Sequence, residues 1–212
     1  MKKIIMSLMA LLFAATSFAQ YHTDGTSLDE SSVYYGARLG MNLSTLTGDI
    51  GSINSKAGLV LAGVVGLRVS DETPLFIESG LYFSQRGAKK DKLEYNLDYF
   101  EVPVLIKYGF PLENDFVILP HVGPTFSLGI AGKTKIPMGN PDGTTYNESS
   151  YSDHFSRLDM GIKFGCGVDW KLLYLEAGYQ LGIANISKLK DNQGNDYSVH
   201  NSAFYLNFGV NF

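Results

Sequence analysis

The sequence predicts an all-β chain, an eight-stranded antiparallel up-and-down transmembrane β-barrel, and three observations predict it. Residues 34–212 hold eight segments of about ten or more residues in which apolar and polar side chains alternate. The polar connections between them are alternately long and short, and the polar register is crowded with glycine. Composition agrees: of 212 residues 45% are hydrophobic, 13% aromatic and only 18% charged, with 23 Gly. Such a chain carries too little charge for a disordered one. Its single cysteine, Cys166, excludes an internal disulfide and a Cys-rich zinc site. A net charge of −4 exerts no general pull on nucleic acid, so none is expected as a partner.

The chain opens with a processing signal. Met1-Lys2-Lys3 is a short basic start, Ile4 to Ala15 a mainly apolar run, and Ser17-Phe18-Ala19 a small-residue ending, the order of a secretory signal peptide cut after Ala19. The run is short for a spanning helix, and no run of eighteen apolar residues follows it. Residues 1–19 are therefore the signal peptide, 20–33 a polar, flexible lead-in, and 34–212 the barrel domain.

The segments follow in order. Tyr34 to Leu43 sets Tyr35, Ala37, Leu39, Met41 and Leu43 against Gly36, Arg38, Gly40 and Asn42. Lys56 to Val69 sets Leu59, Leu61, Val65 and Leu67 against Lys56, Gly58, Gly66 and Arg68. Leu75 to Arg86 opposes Leu75, Ile77, Leu81 and Phe83 to Glu78, Gly80, Ser84 and Arg86, and Tyr95 to Tyr108 opposes Phe100, Val102, Val104 and Ile106 to Glu101, Pro103 and Lys107. Phe116 to Ile130 places Ile118, Val122, Phe126 and Leu128 opposite His121, Gly123, Thr125 and Ser127. The cleanest segment, Phe155 to Val168, places Leu158, Met160, Ile162, Phe164 and Cys166 opposite Arg157, Asp159, Gly161, Lys163 and Gly165. Leu172 to Ile183 carries Leu173, Leu175, Tyr179 and Leu181 against Tyr174, Glu176 and Gln180, and the chain ends on Phe204, Leu206, Phe208, Val210 and Phe212. The long connections are 44–55, 87–94, 132–154 and 184–201, the short ones 70–74, 111–115 and 169–171. That alternation matches a barrel with long external loops and tight periplasmic turns.

Alternation alone suits a membrane barrel with apolar residues outward and a soluble lipocalin-like binder with them inward. Glycine decides between the two. Thirteen of the 23 glycines lie on the polar register, among them Gly36, Gly66, Gly123, Gly165, Gly167 and Gly178. Glycine weakens a solvent-facing strand, whereas a narrow lumen needs small residues. The same register carries Arg38, Arg68, Glu78, Arg86, Glu101, Lys107, Arg157, Asp159, Lys163 and Glu176, expected to form a paired charge network plugging the lumen. The alternative is a narrow pore. Tyr34, Tyr35, Tyr99, Tyr108, Phe110, Phe116, Trp170 and Tyr174 stand at segment ends and fit interfacial aromatic girdles. Pro103, Pro120 and Pro124 predict bulges, because a closed barrel has no edge strand to tolerate a missing donor.

With signal, segments and loop order together, the chain resembles the outer-membrane β-barrel family typical of Bacteroidetes, the PorT-like or "porin family" barrels of these Gram-negative bacteria. The resemblance is carried by Tyr35-Gly36-Ala37-Arg38-Leu39-Gly40-Met41-Asn42, by Tyr99 to Tyr108 with Glu101 and Pro103, and by Leu158-Asp159-Met160-Gly161 running to Gly165-Cys166-Gly167-Val168. It implies location in the cell outer membrane after export through the periplasm. Phe212 after alternating aromatics is similar to the C-terminal signal read by the barrel-assembly machinery.

No Walker A loop, HExxH, GxSxG or CxxC occurs, and His22, His121, His154 and His200 lack metal-ligand spacing, so neither cofactor nor metal is expected. His154-Phe155-Ser156 and His200-Asn201-Ser202 both place a histidine beside a serine on one side of a strand, the arrangement of a lipid-modifying hydrolase of the outer membrane. No carboxylate orients either pair, and the expectation is a protein without enzymatic activity that has a structural or loop-mediated binding role. The expected partners are outer-membrane lipid, lipopolysaccharide and an extracellular ligand or protein at loops 132–153 and 184–201, where Lys133, Lys135, Lys188 and Lys190 could meet anionic groups.

Overall fold

A computed structural model describes residues 33–49, 54–70, 72–90, 93–137, 145–149, 151, 155–188 and 197–212. The expected signal peptide and lead-in, up to Ser32, lie outside them. Eight long strands run antiparallel: β1 (Val33–Gly48), β2 (Asn54–Arg68), β3 (Leu75–Lys90), β4 (Leu93–Tyr108), β6 (Phe116–Pro137), β8 (Leu158–Trp170), β9 (Leu173–Gly182) and β10 (Val199–Asn211). Two short ones, β5 (Phe110–Pro111) and β7 (Thr145–Ser149), pair only with β6. Each long strand pairs with its neighbour in the chain, and β1 closes on β10, so the sheet is an eight-stranded barrel. At the seam the Tyr35 and Phe212 backbones exchange two hydrogen bonds of 2.8 Å.

The register sets the dimensions. Val33 pairs Leu67, and the ring continues through Ile77, Ile106, Val122, Phe164, Tyr179 and Phe204 to Leu43, ten residues beyond its start. With about 4.8 Å between strands and about 3.3 Å per residue, that stagger tilts the strands by about 40° and holds the backbone about 8 Å from the axis.

Every residue of that ring faces outward. The outward register is apolar on all eight strands, with Leu39, Met41, Leu81, Ile106, Val122, Leu158 and Phe208 each at least half exposed. Between Val33 and Leu43 this band is about 25 Å tall, the height of a bilayer's hydrocarbon layer. Apolar residues outward exclude the lipocalin-like arrangement. Cys166 lies exposed on this face.

The short turns are tight. Asn114 and Asp115 both take φ of 62° and Lys171 takes 58°, the left-handed region that asparagine and aspartate tolerate. At the opposite end the strands outrun the predicted segments: β1 extends to Gly48, while β3 and β4 extend to Lys90 and Leu93. Much of the stretches expected as loops, 44–55 and 87–94, is therefore paired strand. Alternation marks only the part of a strand that lipid touches, and polar residues keep the ladder going above it.

The proline bulges do not form. Pro103 pairs Thr125, Pro120 pairs Cys166 and Pro124 pairs Ile162 with no register shift. Each strand residue turns its N–H to one neighbour only, so a proline costs a single ladder bond. Around Pro103 and Pro124 the ladders skip pairs, and the Pro103 carbonyl accepts from Ser79 Oγ at 2.8 Å. Register shifts occur at Ser55/Val60 and Asp98/Tyr99 instead.

Candidate functional site

The site is the barrel interior, built from the inward register of all eight strands. Arg38, Glu78, Arg86, Glu101, Lys107, Asp159, Lys163 and Glu176 are all buried there, eight of the ten charges expected. Arg68 and Arg157 stand apart from them. Arg68, half-buried at the short-turn end, donates from Nε to the Ser70 carbonyl at 3.0 Å. Arg157 is exposed at the opposite rim and donates to the Gly129 carbonyl. Both lie at strand ends, where the inward register leaves the enclosed lumen.

Toward the short-turn end, Glu78 is the hub. Its carboxylate meets Lys107 Nζ at 2.8 Å and Arg38 Nη2 at 3.3 Å, and it accepts from Tyr34 at 2.7 Å. Lys107 also donates to the Tyr174 hydroxyl at 2.8 Å, which donates in turn to Glu176 at 3.0 Å. Glu176 accepts from Asn207 at 2.7 Å, and His121 stands 4.0 Å away. Arg38 donates to Asn211 Oδ1 at 2.6 Å, lies 4.0 Å from the centre of the Tyr174 ring, and reaches Asp169 through the Asn211 amide. Pairing offsets part of the cost of burying these charges, with Arg38 Nε and Asn207 Oδ1 left without a hydrogen-bond partner among the described residues.

Midway along the barrel Lys163 is held differently. Its ammonium sits 4.4 Å from the centre of the Tyr82 ring and 4.1 Å from that of Tyr205, a cation between two aromatic faces. Above it Arg86 pairs with Glu101 at 2.5 Å and donates to Gln180 at 2.6 Å. Asn201 donates to Asp159 at 3.5 Å.

Apolar clusters lie toward both ends. Tyr34, Phe76, Val117, Leu119 and Tyr174 pack together at the short-turn end, and Leu46, Leu97, Tyr99, Tyr151, Phe155, Ile186 and Val199 at the other. A third patch, Val60, Ala62, Val64 and Tyr82, makes the inner face of β2 apolar as well. Between the end layers, near Asn42, Ser84, Arg86, Glu101 and Lys163, about 10 Å³ is left for the centre of a water molecule. That is room for about one water.

Tyrosines and glycines share the lumen. A Cβ on Gly167 would come 2.7 Å from Tyr174 Cζ, and one on Gly165 would come 2.7 Å from the Tyr205 hydroxyl. The inward glycines are the floor on which these rings lie. Tyr34, Tyr99 and Tyr174, expected in the girdles, are buried inside, whereas Tyr35, Tyr108, Phe110, Phe116 and Trp170 are exposed outside. Strand parity already separated the two groups, because Tyr34 and Tyr174 share the register of Arg38 and Glu176. Sequence reasoning passed over Tyr82 and Asp169 and, although it set Tyr205, Asn207 and Asn211 on the polar register of the last segment, left them out of the charge network; all five are buried and inward.

Of the two histidine-serine pairs, only His200 and Ser202 both lie among the described residues, and they do not meet. His154 lies outside the described residues, and Ser156 Oγ accepts from the Leu158 N–H at 3.2 Å. Ser202 accepts from the Gly182 N–H at 3.2 Å. His200 turns away from it, with Nε2 3.0 Å from the Ser198 hydroxyl and Nδ1 donating to the Ala184 carbonyl at 3.0 Å. Among the described residues no group of three His, Cys, Asp or Glu is placed to hold a metal ion.

Comparison with known proteins agrees with this architecture. No curated protein matches the chain. Among solved structures, a major outer membrane protein of Thermus thermophilus is 14% identical, covers 86% of this chain and 100% of its own, and superposes with a TM-score of 0.51. Neisserial surface protein A is 16% identical over 86% of this chain and 98% of its own, with a TM-score of 0.48. Ail, the attachment invasion locus protein of Yersinia pestis, is 12% identical over 86% and 100%, with a TM-score of 0.47. At such identities the likeness is one of fold. Residues 18–188 match the model of the outer membrane protein beta-barrel domain, so the chain belongs to that family and resides in the outer membrane.

Proposed function

We propose that the protein is a non-conducting outer-membrane barrel that works through its outer loops, in a structural or ligand-binding role and without catalysis. One observation carries the reading. Between two apolar end layers, the lumen holds buried charges, several of them paired, and tyrosine rings, and the space beside Ser84 and Lys163 has room for about one water. Ion conduction needs a continuous wet path, and the buried side chains packed in the lumen weigh against one. The recognising part on this reading is the outer end, where stretches 132–153 and 184–201, partly strand in β6, β7 and β10, would meet lipid, lipopolysaccharide or an extracellular ligand.

Further features support the reading. The imidazole of His200 faces the Ala184 carbonyl where a hydrolytic triad would have a carboxylate, which favours a non-catalytic surface. Met1 to Ala19 would direct export to the periplasm, and Phe212, stitched to Tyr35 at the seam, would serve the barrel-assembly machinery. The Tyr35–Asn42 and Tyr99–Tyr108 motifs favour a place among the PorT-like barrels of Bacteroidetes.

Planar-bilayer recording of the purified barrel tests the closed lumen. The expected trace is flat across the voltages that the bilayer withstands. Sustained single-channel currents would replace this reading with that of a narrow pore.

A further inference from the structure

Exposed basic side chains gather at the outer rim, around Tyr151. Arg157 directly precedes Leu158, the lowest point of the rim on β8 and, at 69%, a strongly exposed lipid-facing residue. Its guanidinium is fixed from two sides. Nη1 donates to the Gly129 carbonyl at 3.1 Å, and the group lies 5.4 Å from the centre of the Tyr151 ring. Burial pushes the Tyr151 hydroxyl up, so that ring stays neutral beneath the cation. The remaining guanidinium N–H groups meet no carboxylate among the described residues. Lys188 donates to the Tyr151 carbonyl at 3.3 Å, and Lys133, next to the Gly132 that faces the Tyr151 ring, is exposed on β6 and pairs Ser149 of β7. The inner rim is arranged otherwise, since its Lys171 faces Asp115 at 4.0 Å.

We propose that Arg157, with Lys133 and Lys188, forms a site for the phosphate groups of a glycolipid in the outer leaflet. The planar guanidinium matches a phosphate in bidentate fashion, and a side chain already fixed by Gly129 and Tyr151 loses little freedom on binding. Its level matters equally. Lipid phosphates lie just above the hydrocarbon, and Arg157 lies just above Leu158 and Leu128, on whose exposed side chains acyl chains would rest. Free phosphate offers the same oxygens but nothing for those leucines to cover. Long basic side chains reach such a layer by laying their stems along the apolar band.

The inference rests on the reading of the outer end as the recognising part of the molecule. To test it, the wild type and an Arg157→Gln/Lys133→Gln variant are refolded, and both are required to show heat-modifiable gel mobility. They are placed in phosphatidylcholine nanodiscs doped with diphosphorylated or dephosphorylated lipid A, and the lipid retained per barrel is counted by native mass spectrometry. The wild type is expected to retain about tenfold more diphosphorylated lipid A than the variant, and to lose that advantage with the dephosphorylated lipid. Added inorganic phosphate at the lipid's concentration should not displace it. Equal retention by the two proteins, or of the two lipids, overturns the site. Displacement by inorganic phosphate overturns it too, in favour of a soluble anion. Single-channel currents would overturn the closed-lumen reading and leave this result untouched, so the two failures are separable.

Discussion

Glu78 shows what a single residue does in this interior. It is buried and holds both Lys107 and Arg38, so removing it strands two cations where water cannot reach them. Breaking a buried ion pair in this way costs about 3–5 kcal/mol, far more than the pair's net contribution. Glu78→Ala should therefore lower the urea midpoint of the folded band on gels sharply. Lys171→Ala, at an exposed ion pair of the inner rim, should leave it unchanged. An unchanged midpoint for Glu78→Ala would mean that Lys107 and Arg38 find other partners. Residue identity plus strand parity made the interior charges readable: Arg38, Glu78, Arg86, Glu101, Lys107, Asp159, Lys163 and Glu176 all face in. Who pairs with whom was not readable, because Glu78 and Lys107 are diagonal neighbours on β3 and β4, where Glu78 pairs Leu105 and Lys107 pairs Phe76, and strand register, not sequence spacing, joins them. Arg68 and Arg157 have the right parity but lie beyond the ends of the enclosed lumen.

At the scale of the strand, depth in the membrane decides what a substitution costs. Leu39 is half exposed near the middle of the outward band of β1, and Thr45 is the first polar residue of that register above it. An arginine at the midplane of a barrel costs about 2–4 kcal/mol and near an interface about 0–1 kcal/mol. Leu39→Arg should thus destabilise the barrel in lipid vesicles several-fold more than Thr45→Arg, as measured by reversible denaturant titration. Similar effects at both positions would place the bilayer elsewhere on the strand. The same boundary explains what was legible of the elements. Period-two alternation reports contact with lipid, so it located all eight strands. It fell silent above Leu43, although β1 continues to Gly48 with Leu46 turned into the outer apolar layer. The prolines misled for a related reason: a missing donor is a property of one residue, whereas a bulge is a property of a ladder, and the ladders absorbed Pro120 and Pro124 in register.

For the molecule as a whole, closure is the property with most consequence for function. Eight strands with a stagger of ten residues give a barrel whose backbone stands about 8 Å from its axis, narrow enough for inward side chains to meet across it. Glycines under Tyr174 and Tyr205 let those rings lie flat across the gap instead of crowding it. On the proposed reading the polar layer is shut between the clusters of Phe76 and Leu119 at one end and Leu97 and Ile186 at the other. Chemical access tests this directly, without reliance on electrical recording. Ser84 is buried beside the small central space, whereas Thr47 is exposed on the outward face above the band. In a Cys166→Ala background, a cysteine introduced at Thr47 should react within minutes with a charged, membrane-impermeant thiol reagent. A cysteine at Ser84 should stay unmodified in the folded barrel and react only after unfolding if, as proposed, neither end layer admits a hydrated ion. Rapid labelling at Ser84 in the folded state would show that one of the two layers opens, and running the reagent from each side of oriented vesicles would identify which.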